Sequence, residues 1–148
     1  QEKLLSWRWR DTAPGTARIE ALAGLVYASL SLEGADQRIA RATALLGKQA
    51  QKIIGADGAI ASRNPEELAR ILSFLVWSAQ SIEDAGLRTA PGHTAAIQRA
   101  LPLVRALRHP SGAMARFQGG RYQCSAVMDH QDAAIGQIVW MSLSLDPT

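Results

Sequence analysis

The polar run Ser62-Arg63-Asn64 stands directly before Pro65 and is the part of the sequence best suited to chemistry. Asn64 can accept hydrogen bonds from the free N–H groups of a helix that begins at Pro65, and Glu67 stands where it completes a capping box. Polar groups at a helix N-terminus serve either to cap the helix or to hold an anion. The guanidinium of Arg63 can bind an acidic group through two parallel hydrogen bonds or satisfy carbonyls of its own loop. Both uses stay open for each residue.

Two further side chains could take part in a binding groove. His109 follows Arg108 at a predicted helix end, where the helix dipole favours a positive imidazolium, so a structural role stands beside ligand binding or acid–base work. Tyr122 lies close to the Gly119-Gly120 turn and offers a free hydroxyl. We therefore treat both residues as candidates for a groove.

Metal and disulfide chemistry find little support in the sequence. His93 and His130 have no partners at the spacing of metal ligands, so we expect no metal site and no cofactor. Cys124 is the only cysteine, which excludes an internal disulfide. A lone cysteine with no local signature is typical of a small buried hydrophobe.

The composition is that of an ordinary globular protein. Hydrophobic residues make up 47% and charged residues 20% of the 148 residues. No run of about 18 apolar residues is present, so we expect no membrane-spanning segment. The formal charge is +3, and 13 of the 16 basic residues are arginines, which suit an anionic partner. A solvated basic surface explains the same charge.

The apolar periodicity predicts a single domain with four helices. We expect helices over residues 17–32, from Asp36 to about Ile54, from Pro65 to about Ala85, and from His93 or Thr94 to about Arg108. Short connections predict antiparallel helix pairs. The expected buried faces contain Ile19, Leu22, Leu25, Val26, Leu30 and Leu32; Ile39, Ala42, Leu46, Ala50 and Ile53; Leu68, Ile71, Leu72, Leu75, Val76, Ala79 and Ile82; and Ile97, Leu101, Val104 and Leu107.

Glycine and proline predict where these helices end. Gly55 stands where a left-handed residue closes the second helix, and Gly86 closes the third. Residues 87–93 are expected to form a loop. Pro102 predicts a kink in the fourth helix because it cannot donate a helical hydrogen bond.

The two ends of the chain differ from the helical body. Residues 1–16 form an N-terminal arm in which Trp7 and Trp9 alternate with arginines. We expect these aromatic rings to pack on the helices, and we do not expect nucleic-acid binding, because no basic stripe or reader motif follows. Residues 109–148 predict a short β-hairpin or an irregular tail, with residues 113–117 as a short strand.

Three blocks of the chain resemble the bacterial heparinase II/III-like family. Residues 57–65 are similar to its Asp-Gly-Gly-His-Ile-Ser-Arg-Asn-Pro run, with a shortened interior. Residues 96–105 resemble the helix that follows, including its proline. Residues 108–119 resemble the Arg-His-Gly-Asp-Gly-Ala-Leu-Ala-Leu-Phe-Asn-Gly run that closes the helical part of that family.

The resemblance implies part of an α/α toroid from a polysaccharide-lyase-like protein of the bacterial cytoplasm or periplasm. Such a protein binds acidic, uronate-containing glycans or cleaves them by β-elimination. Asn64 would then neutralise the uronate carboxylate and His109 would manage a proton, while Ser62, Arg63 and Tyr122 would bind the sugar. This chemistry requires donors that quench the carboxylate before the neighbouring proton can leave.

The chain departs from the family pattern in ways that limit catalysis. The histidine of the family run is missing before Ser62, and the tyrosine of the third helix aligns with Ile82. The family's β-sandwich is also missing from this sequence, so we expect a piece of a longer protein that is incomplete as an enzyme. A non-catalytic binding or assembly module is the alternative, and an unfinished toroid predicts self-association.

Overall fold

The computed structural model of the protein describes residues 9–32, 36–110 and 113–119. Within these ranges the chain forms four helices and no strand. In chain order they are α1 (Thr16–Leu30), α2 (Asp36–Ile53), α3 (Pro65–Asp84) and α4 (Pro91–Ala106). The expected all-α class is therefore confirmed.

The four helices form two stacked hairpins. The short connection between α1 and α2 makes them one antiparallel pair, and α3 and α4 form the other, as predicted. α1 also packs on α3, and α2 packs on α4. Successive helical hairpins stack in this way in α-solenoids.

One hydrophobic core lies between the hairpins. Most residues of the predicted faces are buried there, and Ile19, Leu46, Leu72, Leu75 and Ile82 are completely buried. Trp9 packs on the outside of this core, as expected for the arm. Each such side chain, once removed from water, contributes about 1.5–3 kcal/mol to folding.

The predicted ends of α3 are confirmed. Asn64 is its N-cap and Pro65 its first helical residue. At the other end Gly86 has a φ of 74° and its N–H donates to the carbonyl of Glu83, while the N–H of Leu87 donates to the carbonyl of Ile82. This pair of bonds is the Schellman motif, which satisfies carbonyls that the helix leaves free.

The predicted start of α4 is wrong. The helix begins at Pro91, within the expected loop, with Ala90 as a cap residue that has no side-chain hydrogen bond. Pro91 fits the first turn because its missing N–H has no helical partner there. The helix continues through Pro102, which lies on the exposed side. A kink at that residue stays a prediction.

The first left-handed residue after α2 is Gly58, which has a φ of 77°, and not Gly55 as predicted. Gly55 instead donates from its N–H to the carbonyl of Ala59 and accepts from the N–H of Gly58. A Cβ on Gly58 would overlap the backbone carbonyl of Arg99 on α4. The connection therefore lies directly against that helix.

Five residues of the predicted apolar faces are not buried: Leu32 is exposed, and Leu30, Ile53, Ile97 and Leu107 are half-buried. Leu32 lies beyond the end of α1 and is 43% exposed. At the end of α2 it is Ile54 that is buried, while Ile53 is half-buried, because the chain leaves the helix there.

After α4 the chain reverses direction without forming the predicted strand. Arg108 and Met114 form one isolated antiparallel bridge, in which the N–H of Ala115 donates to the carbonyl of Leu107. Residues 113–119 then lead back towards the start of α3. The expected hairpin or tail beyond residue 119 lies outside the described residues, as does Trp7.

A candidate anion-binding turn between two clefts

Residues 60–64, which we call the polar turn, bring the chain into α3. The N–H of Arg63 donates to the carbonyl of Ile60 at 3.0 Å, and Arg63 itself has a φ of 53°. A residue other than glycine seldom adopts this left-handed backbone conformation, which costs of order 1 kcal/mol or more. The conformation turns the backbone so that Asn64 meets the first turn of the helix.

The side chain of Asn64 is fixed by the cap that it forms. Its Oδ1 accepts hydrogen bonds from the N–H groups of Glu66 at 2.9 Å and Glu67 at 3.3 Å. Because Oδ1 takes both bonds, the amide nitrogen Nδ2 is held in one direction. A side chain on Gly119 would come within 3.9 Å of that nitrogen, so the returning segment passes beside it.

Glu67 does not complete the expected capping box. Its Oε1 accepts from the hydroxyl of Thr16 at 2.7 Å, and its Oε2 accepts from the hydroxyl of Ser62 at 2.5 Å. Both carboxylate oxygens are thus taken, and the N–H of Asn64 instead donates to the Ser62 hydroxyl at 3.4 Å. One carboxylate joins the start of α1, the polar turn and α3.

A small cleft, which we call the turn cleft, lies on one side of the polar turn and has a volume of about 100 Å³. Arg63 and Asn64 are its polar lining residues, and Phe117, which is 46% exposed, covers part of it. Its other lining residues are Ala59, Ile60, Pro65, Leu68, Leu103 and Leu107. Phe117, Arg63 and Asn64 therefore lie around one apolar floor.

A larger cleft of about 390 Å³, the arm cleft, lies on the other side of the polar turn. It is bounded by Pro14 and Gly15 of the arm, by Arg18 of α1 and by Lys52 of α2. Its remaining lining residues are Gln49, Ile53, Ile60, Ala61, Ser62, Glu67 and Ile71.

The structure brings together only some of the predicted site residues. Arg63 and Asn64 share the turn cleft, whereas Ser62 lines the arm cleft. His109 is exposed after α4, its backbone N–H donates to the carbonyl of Ala113 at 2.8 Å, and it lines neither cleft. Tyr122 lies outside the described residues.

The guanidinium of Arg63 extends into solvent. Its side chain is 68% exposed and lies 3.7 Å from the carboxylate of Asp57, which is 58% exposed. An exposed pair at this distance contributes about 0–1 kcal/mol to stability. Arg63 can therefore exchange Asp57 for another anion at little cost.

Sequence reasoning missed two residues that define the clefts. Phe117 was expected in a strand, and no local pattern shows that residues 113–119 return to α3. Arg18 is one polar residue on an amphipathic helix, and only the folded arm gives it partners. Its Nη2 donates to the backbone carbonyls of Arg10 at 3.2 Å and Thr12 at 2.6 Å.

His93 is the one histidine that the described structure buries completely. Its Nε2 lies 2.8 Å from the carbonyl of Leu75 on α3, which makes Nε2 the donor in a neutral ring. Burial lowers the pKa of His93 below its usual 6.5, although the bond to Leu75 opposes that shift. His93 therefore joins two helices and does not face either cleft.

Comparison of the chain with protein families, with curated proteins and with solved structures finds no match. Across the described residues no three histidine, cysteine or acidic side chains lie together as metal ligands would. None of the four helices is both long and apolar enough to cross a membrane.

Proposed function

We propose that this chain is a helical domain of heparinase II/III-like type that binds acidic, uronate-containing polysaccharides at the turn cleft. The resemblance of residues 57–65 to that family supplies the substrate class. The observation that carries the proposal is the pairing of Arg63 and Asn64, two donors to a carboxylate, beside the exposed ring of Phe117.

The two polar side chains suit a sugar carboxylate. Arg63 offers a planar fork of N–H donors, and its exposed pair with Asp57 is readily replaced. Asn64 offers the N–H groups of Nδ2, which the cap holds in place before any ligand arrives. Donors that are fixed in advance lose little conformational freedom on binding.

Phe117 suits the apolar face of a sugar ring. It is one of three large hydrophobic side chains that the described structure leaves exposed. Ligand sites are lined mainly by apolar and aromatic side chains with a few polar groups, and the turn cleft has this mixture. The floor formed by Pro65, Leu68 and Leu103 would contact the same ligand from below.

We propose binding and not cleavage for this chain taken alone. β-Elimination requires a base within hydrogen-bond reach of the proton that leaves. His109, the expected acid–base residue, does not line the turn cleft, and this favours the non-catalytic alternative.

Titration calorimetry with uronate oligosaccharides tests the proposal, with a neutral glucan of equal length as the ligand control. We expect Arg63→Ala to weaken binding about tenfold, near the lower end of the roughly 1.5–3 kcal/mol of a charge-assisted hydrogen bond, because its side chain is exposed. Arg88→Ala, an exposed arginine in the loop before α4, is the matched control and should leave affinity unchanged.

Asn64→Asp separates binding from capping. Aspartate caps a helix as well as asparagine does, but it removes the Nδ2 donors and adds a negative charge beside the ligand. We expect this variant to fold normally and to lose uronate binding. Equal binding of the neutral glucan, or full binding by Asn64→Asp, would refute the proposal, and release of an unsaturated product would refute the restriction to binding.

A further inference from the structure

We infer that the arm cleft is a second, separate site that binds a small organic anion, with a carboxylate or phosphate head and an apolar body. The inference does not rest on the proposed function. Arg63, Asn64 and Phe117 line the turn cleft, and none of the three lines the arm cleft.

Arg18 provides a positive charge that two neutral carbonyls of the arm hold in place. Its Nη2 is held by two backbone carbonyls of the arm, and its Nε is shielded from water without a hydrogen-bond partner. Within the described part of the chain no carboxylate forms an ion pair with Arg18. The hydrogen-bond partners of this half-buried guanidinium are neutral carbonyls, so an anion placed beside it would add a charge-assisted hydrogen bond.

The other charged residues that line the arm cleft leave it with a net positive charge. Lys52, in the last turn of α2, adds a second cation. Glu67 is the one carboxylate in the lining, and both of its oxygens are already bound by the hydroxyls of Thr16 and Ser62. The net charge of the lining side chains is therefore +1, from two cations and one anion.

The apolar lining residues of the arm cleft favour a ligand that carries an apolar group beside its anionic head. Ile53 of α2 is half-buried and presents apolar surface beside the two cations, while Ile60 of the polar turn and Ile71 of α3 lie buried behind it. A volume of about 390 Å³ is in the range of small-molecule sites. Inorganic phosphate would use the cations and leave this surface bare, so an anion with an apolar body should bind more tightly.

The inference is tested with three probes: 4-phenylbutyrate, its neutral amide, and inorganic phosphate. The full chain is followed by NMR through the side-chain Nε–H of Arg18. This proton is shielded from water, so its exchange with solvent should be slow enough for detection. We expect 4-phenylbutyrate to shift that signal to saturation, with an affinity at least tenfold higher than either other probe.

Two lysines of α2 give a matched pair of variants. Lys52 lines the cleft, whereas Lys48 is exposed one turn earlier and does not. We expect Lys52→Ala to weaken 4-phenylbutyrate binding about tenfold, as for loss of one charge-assisted bond, and Lys48→Ala to leave it unchanged. Because both side chains are exposed, neither variant should unfold the chain.

Ile53→Asn tests the apolar surface. This variant should weaken the binding of 4-phenylbutyrate and leave the binding of inorganic phosphate unchanged. An unmoved Arg18 signal at saturating 4-phenylbutyrate would overturn the inference. Equal affinity for the acid and its amide, or equal loss in Lys52→Ala and Lys48→Ala, would do the same. Arg63→Ala should not alter binding here, so failure of one site is distinguishable from failure of the other.

Discussion

Replacement of Gly58 by alanine should be among the most damaging single changes to this protein. Gly58 combines a φ of 77° with direct contact between its Cα and the backbone of α4. Alanine in the left-handed region costs about 1–2 kcal/mol. The added Cβ would also overlap the carbonyl of Arg99, and forcing a methyl group into packed structure costs about 1–3 kcal/mol more.

Gly86 is the matched control, because it has nearly the same φ of 74° but open space where its Cβ would lie. Gly86→Ala should therefore lower the free energy of unfolding only by the cost of the left-handed backbone, about 1 kcal/mol. Gly58→Ala should cost about 3 kcal/mol, the sum of the backbone and packing parts. The difference of about 2 kcal/mol measures the close approach of the connection to α4.

Urea unfolding followed by circular dichroism measures both variants. With a slope of about 1.5 kcal/mol per molar urea, Gly86→Ala should lower the midpoint by about 0.7 M and Gly58→Ala by about 2 M. The slopes themselves should not change. Equal losses in the two variants would refute the packing argument and leave only the conformational cost.

Three further predictions concern the cap, the buried histidine and α1. Asn64→Ala should lower the free energy of unfolding by about 1 kcal/mol, and Asn64→Asp should restore it, both measured by urea unfolding. Because the pKa of His93 is lower in the folded than in the unfolded chain, its contribution to stability should be complete above about pH 6.5 and fall as the pH drops towards the lower folded pKa. His93→Gln can still donate a hydrogen bond to the carbonyl of Leu75. This variant should reduce the dependence of the urea midpoint on pH between pH 7.5 and 5.5. Gly24→Ala, inside α1 with open space at its Cβ position, should raise the thermal midpoint through a gain of about 0.5–1 kcal/mol.

The features that the sequence predicted correctly are local ones. Asn64 and Pro65 mark the start of α3 because a cap residue followed by proline acts within one turn, and Gly86 marks its end for the same reason. Pro91 was misplaced because the residue before it, Ala90, carries no capping side chain. Periodicity identified the buried faces since each helix must turn its apolar side to the core.

The features that the sequence could not predict depend on contacts between distant segments. Gly58 lies against α4 at Arg99, 41 residues further on, and nothing near Gly58 in the sequence indicates this contact. Phe117 reaches the turn cleft through the reversal after α4, and Arg18 is fixed by carbonyls of the arm. No pattern in the sequence predicts these contacts between distant segments. The residues that line the two clefts could therefore be identified only from the structure.

The close contact at Gly58 also determines where this fold can change its length. Residues 85–88, between the helices of the second hairpin, are exposed, and the Cβ position of Gly86 faces open space. Extra residues inserted there would extend into solvent. The link between the two hairpins lacks this freedom at Gly58, because it lies against α4 there. Relatives of this protein should therefore vary in length between the helices of a hairpin and keep the glycine at which the crossover meets α4.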